Sequence, residues 1–146
     1  MNKKDFFNNF FITNSSKETQ KLGRDFAKIL KKRDVICLYG DLGSGKTTFV
    51  QGLAEGLGVK NRIISPTFII VRAYNLRQGM FYHVDLYRVS SEDNIRGLGL
   101  EEITNDKLGI VAIEWAEKLE SFLPDKRISI EFFYEKYNRR KIAFRL

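Results

Sequence analysis

The residues with the most specific chemistry lie together, in the run Gly40-Asp41-Leu42-Gly43-Ser44-Gly45-Lys46-Thr47-Thr48. Gly40, Gly45, Lys46 and Thr47 meet the spacing G-x-x-x-x-G-K-[ST], which builds a phosphate-binding loop between a strand and a helix. Gly40, Gly43 and Gly45 allow backbone conformations that a side chain would obstruct. Successive N–H groups can then turn inward around phosphate oxygens. The following helix adds the partial positive charge of its N-terminus. On this pattern Lys46 reaches the β- and γ-phosphates and Thr47 offers its hydroxyl to Mg²⁺. Asp41 to Thr48 are therefore the nucleotide-binding candidates. A glycine turn that merely caps a helix has no need of a lysine and a threonine at these two positions.

A magnesium site also needs a carboxylate. Phe81-Tyr82-His83-Val84 leads to Asp85, and Ile110-Val111-Ala112-Ile113 leads to Glu114. Each acid falls at the end of an apolar run, where a strand would deliver it beside the phosphates. One can hold the metal, directly or through water, and the other can orient an attacking water. The sequence leaves open which does which. His83 is the sole histidine, and strand alternation puts it on the same face as Asp85. A structural hydrogen bond is its simplest role.

These residues need a scaffold that alternates strands and helices. Phe10-Phe11-Ile12 reads as a first strand. Ser15 and Glu18 have capping-box spacing, and Leu22, Phe26, Ile29 and Leu30 share one helical face up to Lys31-Lys32-Arg33. Val35–Tyr39 is a buried strand that feeds the loop, and Thr47–Leu57 is a helix closed by Gly58. Thr67–Tyr74 and Met80–Asp85 are strands joined through Asn75–Gly79. Ser91–Leu98 reads as a short helix, Gly109–Ile113 as a buried strand, and Ala116–Phe122 as a helix stopped by Pro124. Arg127–Phe133 and Lys141–Leu146 form a final hairpin. The pattern predicts an α/β fold with a mixed sheet and helices on both faces.

With 146 residues the chain fits a single domain spanning 1–146. No apolar run is long enough for a membrane-spanning helix, and the N-terminus lacks the apolar core of a signal peptide. The single cysteine, Cys37, lies in an apolar run, as a buried reduced thiol would. These features favour the cytoplasm. The net charge is +7, and Lys126, Arg127, Lys136, Arg139, Arg140, Lys141 and Arg145 crowd the tail. Such a tail can attract RNA or an acidic protein, or can guard the edge of the terminal hairpin.

The chain also carries Ser65-Pro66-Thr67-Phe68, His83-Val84-Asp85-Leu86-Tyr87-Arg88, Leu98-Gly99-Leu100-Glu101-Glu102 and Ile113-Glu114-Trp115 after the phosphate loop. In this order the set resembles the bacterial TsaE family (also called YjeE), the ATPase of tRNA threonylcarbamoyladenosine biosynthesis. The resemblance is close over about residues 35 to 120 and extends to the flanks by topology. It implies a three-layer P-loop NTPase fold, with a parallel central sheet flanked by antiparallel strands. It implies ATP and Mg²⁺ as ligands and the TsaB–TsaD pair as partners. That assembly transfers a threonylcarbamoyl group to an adenosine beside the tRNA anticodon; the transfer belongs to TsaD, and the ATPase would reset or remodel the complex between rounds. By the same resemblance Lys46 and Thr47 hold phosphate and metal, Glu114 is a second magnesium-associated acid, and Asp85 is needed for hydrolysis. Thr67 resembles a switch-like threonine near the γ-phosphate, and Trp115 matches a family tryptophan near the site. The adenine would lie between the start of the first long helix, at Ser15 to Lys17, and the C-terminal hairpin near Arg139. Contact with tRNA would be indirect or through the basic tail.

Two other functions use the same loop. A small-molecule kinase needs a mobile lid with arginines, and the only candidate, Arg72 to Arg88, reads as a hairpin. A nucleotide-regulated RNA-binding module would draw on the net charge, but the chain has no RRM or KH signature.

Overall fold

The computed structural model describes residues 1–61, 63, 70–90 and 92–146, without the side chains of Glu92, Asp93 and Glu120. Its strands are β1 (Phe10–Thr13), β2 (Val35–Tyr39), β3 (Val71–Asn75), β4 (Met80–Asp85), β5 (Gly109–Glu114), β6 (Ile128–Tyr134) and β7 (Arg140–Arg145). They form one sheet in the order β1-β7-β6-β2-β5-β4-β3. The inner run β6-β2-β5-β4 is parallel. β3 flanks it antiparallel at one end, and β7 followed by β1 at the other. β5 is buried along its whole length and β2 along all but Tyr39. That explains why both read as continuous apolar runs: a parallel strand covered on both faces has no side to leave polar.

The helices are α1 (Lys3–Phe6), α2 (Ser16–Ala27), α3 (Lys46–Leu57), α4 (Glu92–Arg96) and α5 (Leu100–Thr104), with two 3₁₀ turns at Ala116–Lys118 and Glu120–Phe122. α2 and α3 help cover one face, where Phe6, Phe26, Phe49 and Phe144 interlock with ring centroids 5.0 to 6.0 Å apart. The other face is packed by Cys37, Val84, Ile113, Ile95, Ala116 and Leu119. This is the three-layer P-loop NTPase architecture, with a parallel centre and antiparallel flanks. Burial pushes the Cys37 thiol up to about 11, so it packs as an inert apolar group. Among the described residues no helix is long and apolar enough to cross a membrane.

The contact of α2 with α3 fixes where the phosphate loop sits, because α3 begins at that loop. It is a close backbone approach. A Cβ on Gly52 would stand 2.0 Å from the Gln20 carbonyl oxygen, and one on Gly23 would stand 2.4 Å from that of Phe49. Neither obstacle is a side chain that can swing away. Gly52→Val should therefore cost about 3 kcal/mol by overpacking, seen as a lower urea midpoint. An unchanged midpoint would mean that the helices part freely.

Several elements differ from the sequence reading. Ser15 does cap α2, with its hydroxyl accepting from the Glu18 N–H at 3.1 Å, but the Glu18 carboxylate takes the Asn14 N–H at 2.8 Å instead of closing the box on Ser15. α2 ends at Ala27, not near Arg33, because the chain tightens into successive i to i+3 bonds at Lys28, Ile29 and Leu30. Ile29 and Leu30 still pack on the core from this turn. The helix predicted over Ala116–Phe122 is two 3₁₀ turns. α1 and α5 were not foreseen; both are too short for a helical period to show. The basic tail does not guard a hairpin edge, because β1 pairs along β7 and forms the edge itself. The start of the predicted strand Thr67–Tyr74, the Ser65–Phe68 motif and Ser91 lie outside the described residues.

Candidate nucleotide site

The phosphate loop leaves the end of β2, beside the ends of β5 and β4. Leu38 is opposite Glu114, and Glu114 is opposite Asp85. Three parallel strands thus deliver their carboxyl ends to one crevice, where an open α/β sheet binds ligands. A cavity of about 460 Å³ opens there. The loop residues Leu42 to Thr48 form one wall, and Ile70, Asp85, Tyr87, Arg88, Glu114, Trp115 and Arg140 complete it. That volume suits a nucleotide-sized ligand.

Gly45 is the N-cap of α3, with φ 107°, and no side chain caps the helix. Its conformation disfavours a side chain, and a Cβ there would also strike the Arg140 side chain at 2.7 Å. The uncapped first-turn N–H groups remain available to an anion. The Lys46 side chain is turned back on its own loop. Its ammonium donates to the carbonyl oxygens of Gly40 and of Asp41, the latter at 3.1 Å. It also lies 4.0 Å from the centre of the Trp115 ring. Burial lowers the pKa of Lys46 from its ordinary value, with Glu114 pulling the other way.

The Thr47 hydroxyl donates to Glu114, at 2.8 Å from Oε1 and 3.1 Å from Oε2. Glu114 Oε2 also receives His83 Nε2 at 2.6 Å. A hydroxyl that spends its hydrogen on a carboxylate keeps its lone pairs for another acceptor-seeking group. Thr47, Glu114 and Asp85 together offer hard oxygen donors, the set that suits Mg²⁺ and not a softer metal. Asp85 accepts the Tyr87 N–H at 3.0 Å. Its pKa is raised, chiefly by burial and further by Glu114, with the Tyr87 bond opposing.

Three comparisons bear on this geometry. The family model for "Threonylcarbamoyl adenosine biosynthesis protein TsaE" matches residues 13–142. The chain belongs to the TsaE family. It is 40% identical to the Bacillus subtilis tRNA threonylcarbamoyladenosine biosynthesis protein TsaE over 132 residues, covering 90% of this chain and 82% of the relative. To the Aquifex aeolicus protein of the same name it is 41% identical over 133 residues, covering 90% and 91%. It superposes on the crystal structure of Bacillus subtilis YdiB with a TM-score of 0.78 at 36% identity, covering 93% of this chain and 83% of that one.

The residues singled out in this TsaE family member divide clearly. Leu42 to Thr48, Asp85, Glu114 and Trp115 meet around the cavity. Asp41 contributes its carbonyl oxygen to Lys46. Lys17 is exposed on α2 and does not line the cavity. Arg139 does not line it either, since its guanidinium pairs with Glu135 at 2.9 Å. The neighbouring Arg140 takes the inward position. It is 8% exposed, lies against Gly45, and among the described residues its Nε has no hydrogen-bond partner. Thr67 lies outside the described residues. Sequence reading also missed Lys118, whose ammonium ties down the Tyr87–Val89 segment through the carbonyls of Tyr87 at 2.6 Å and Val89 at 3.0 Å. No spacing rule points to that residue.

The raised Asp85 pKa has a consequence for stability. Above its folded value the half-buried charge is a full penalty, and the penalty fades as pH falls through that value toward the unfolded 3.8. Asp85→Asn keeps the acceptor for the Tyr87 N–H and removes the charge. In ligand-free protein it should melt higher than the wild type at pH 7, with the gain shrinking as the carboxylate range is entered. A lower melting temperature at pH 7 would show that the charge is compensated.

Proposed function

We propose that this TsaE family member is a Mg²⁺-dependent ATPase that serves threonylcarbamoyl modification of tRNA adenosine together with the TsaB–TsaD pair in the cytoplasm. One observation carries the reading: Thr47 of the phosphate loop is bonded to Glu114 at the end of the neighbouring strand, 2.8 Å away, inside a cavity open to the uncapped start of α3. A glycine turn serving only to cap a helix would not need that pairing.

The residues divide the work as follows. First-turn N–H groups of α3 and the loop backbone receive the phosphates. Lys46 exchanges the carbonyls of Gly40 and Asp41 for the β- and γ-phosphate oxygens. Thr47, its hydrogen on Glu114, would offer its oxygen to the metal, and Glu114 would help to hold that metal, directly or through water. When bound, Mg²⁺ neutralises charge that develops on the phosphate oxygens. Asp85 orients a water toward the γ-phosphorus and takes up its proton, a task suited to a carboxyl whose proton affinity is raised. The new bond forms from water to phosphorus as the bridging bond to ADP breaks, which yields ADP and phosphate. Thr67 keeps in this scheme the switch-like role toward the γ-phosphate that the family resemblance implies. Arg140, whose Nε has no hydrogen-bond partner among the described residues, lies against Gly45 and would face the ligand from the C-terminal hairpin; Arg140 and not Arg139 takes this place, whereas Lys17 keeps only a peripheral position.

The basic tail supports indirect contact with tRNA better than direct binding. Arg140 faces the cavity, Arg139 pairs with Glu135, and Arg145 pairs with Glu131 at 3.5 Å. The deciding experiment is ATP hydrolysis by the purified chain, alone and with TsaB–TsaD, with and without tRNA. Low turnover that rises with the pair supports the reading. Turnover indifferent to the pair would overturn it and leave a small-molecule kinase to be tested with phosphoryl acceptors.

A further inference from the structure

We infer that His83 is a positioning residue for the metal-associated carboxylate, setting the affinity of the site for the Mg²⁺–nucleotide pair and not for the nucleotide alone. The inference rests on the ATPase reading and goes beyond it, since that reading needs only Thr47, Glu114, Asp85 and Lys46.

His83 is 0% exposed and Glu114 is 2% exposed, so neither side chain is steadied by solvent. The 2.6 Å contact joins His83 Nε2 to a carboxylate oxygen, which only accepts when ionised, so Nε2 carries the hydrogen. Nδ1 is buried and, among the described residues, has no hydrogen-bond partner. Among the described residues the ring's polar contact is the one bond to Glu114. That bond occupies Oε2, while Thr47 approaches Oε1 more closely, at 2.8 Å against 3.1 Å. The carboxylate is thus clamped from the side away from the cavity, with its rotation fixed by the ring. A fixed carboxylate fixes the Thr47 hydroxyl hydrogen, and so the direction of the lone pairs that Thr47 presents. Backbone pairing secures the arrangement, because His83 and Glu114 sit on neighbouring parallel strands two rungs apart, at His83 opposite Ala112 and Asp85 opposite Glu114.

Three substitutions separate positioning from simple packing. In His83→Gln the side-chain amide nitrogen lies as many bonds from Cβ as Nε2 does, so the donor can be kept. His83→Asn keeps a polar group but its nitrogen matches the reach of Nδ1, and Oε2 loses its donor. His83→Leu removes the polar group. ADP binding is followed through the fluorescence of Trp115, the sole tryptophan, in chelator and in excess Mg²⁺. The wild type and the Gln variant should bind ADP more tightly with Mg²⁺. The Asn and Leu variants should lose about tenfold or more of that tightening, the usual cost of removing an outer-shell partner, with metal-free ADP affinity unchanged. If the Leu variant does not fold, the Asn and Gln pair decides.

Retention of the Mg²⁺ effect in the Asn variant would overturn the inference while leaving the nucleotide site intact. So would an equal loss with and without metal, which marks a packing role. If the wild type itself binds no ADP under either condition, the ATPase reading fails, and the inference with it.

Discussion

Lys46→Ala is expected to lower ATP hydrolysis in the partner-activated assay by about 100-fold or more, the scale of losing one preorganised charge donor at a reacting centre. The fold should survive the change. The ammonium is bonded to two carbonyl oxygens and lies on an aromatic ring, and among the described residues it makes no direct ion pair whose breaking would undo the fold. Alanine is also the best helix former for the first position of α3. Two readouts separate the possible causes. Hydrolysis reports the loss of γ-phosphate stabilisation. Trp115 fluorescence should report the local change, because the wild-type ammonium, now on the ring, would leave it on turning to phosphate, whereas the variant has none to move. A variant that hydrolyses ATP at the wild-type rate would remove Lys46 from the machinery and with it the case for the phosphate loop.

Glu114→Ala should be as damaging to turnover, about 100-fold or more, but it should also cost stability. The carboxylate accepts from both Thr47 and His83 in a buried site. Removing it leaves the His83 N–H without an acceptor, at a cost of about 1–3 kcal/mol. A urea titration and an activity assay at several Mg²⁺ concentrations test both parts. Folded protein with turnover within a few-fold of the wild type would show that Glu114 is structural and would return the metal role to Asp85. This result would contrast with Asp85→Asn, for which activity is expected to fall while the ligand-free protein becomes more stable.

The contrast shows what reading the chain in order can and cannot deliver. Asp85 and Glu114 look alike in the sequence, each an acid at the end of an apolar run. Their positions separate only in the assembled sheet, where Glu114 lies next to the loop strand β2 and bonds Thr47, while Asp85 is one strand further away. Arg139 and Arg140 are a sharper case. Arg139 falls in the turn before β7 and pairs with Glu135, while the register at which β7 begins sends Arg140 toward the cavity. No property of two adjacent arginines reveals that register. Gly23 and Gly52 lie inside helices, and only the crossing of α2 over α3 shows that both must lack a side chain.

The sequence by itself determined the phosphate loop, the strand before it, the helix after it and the two acids within reach of it. These depend on local rules: glycine conformations, helix-end charge and the two-residue period of a strand act over a few neighbouring residues. The tertiary structure alone decided which acid meets Thr47, which arginine lines the cavity, and how His83 bonds Glu114. Those choices depend on strand order, register and helix crossing, which arise when segments distant in the chain bury their apolar faces against one another.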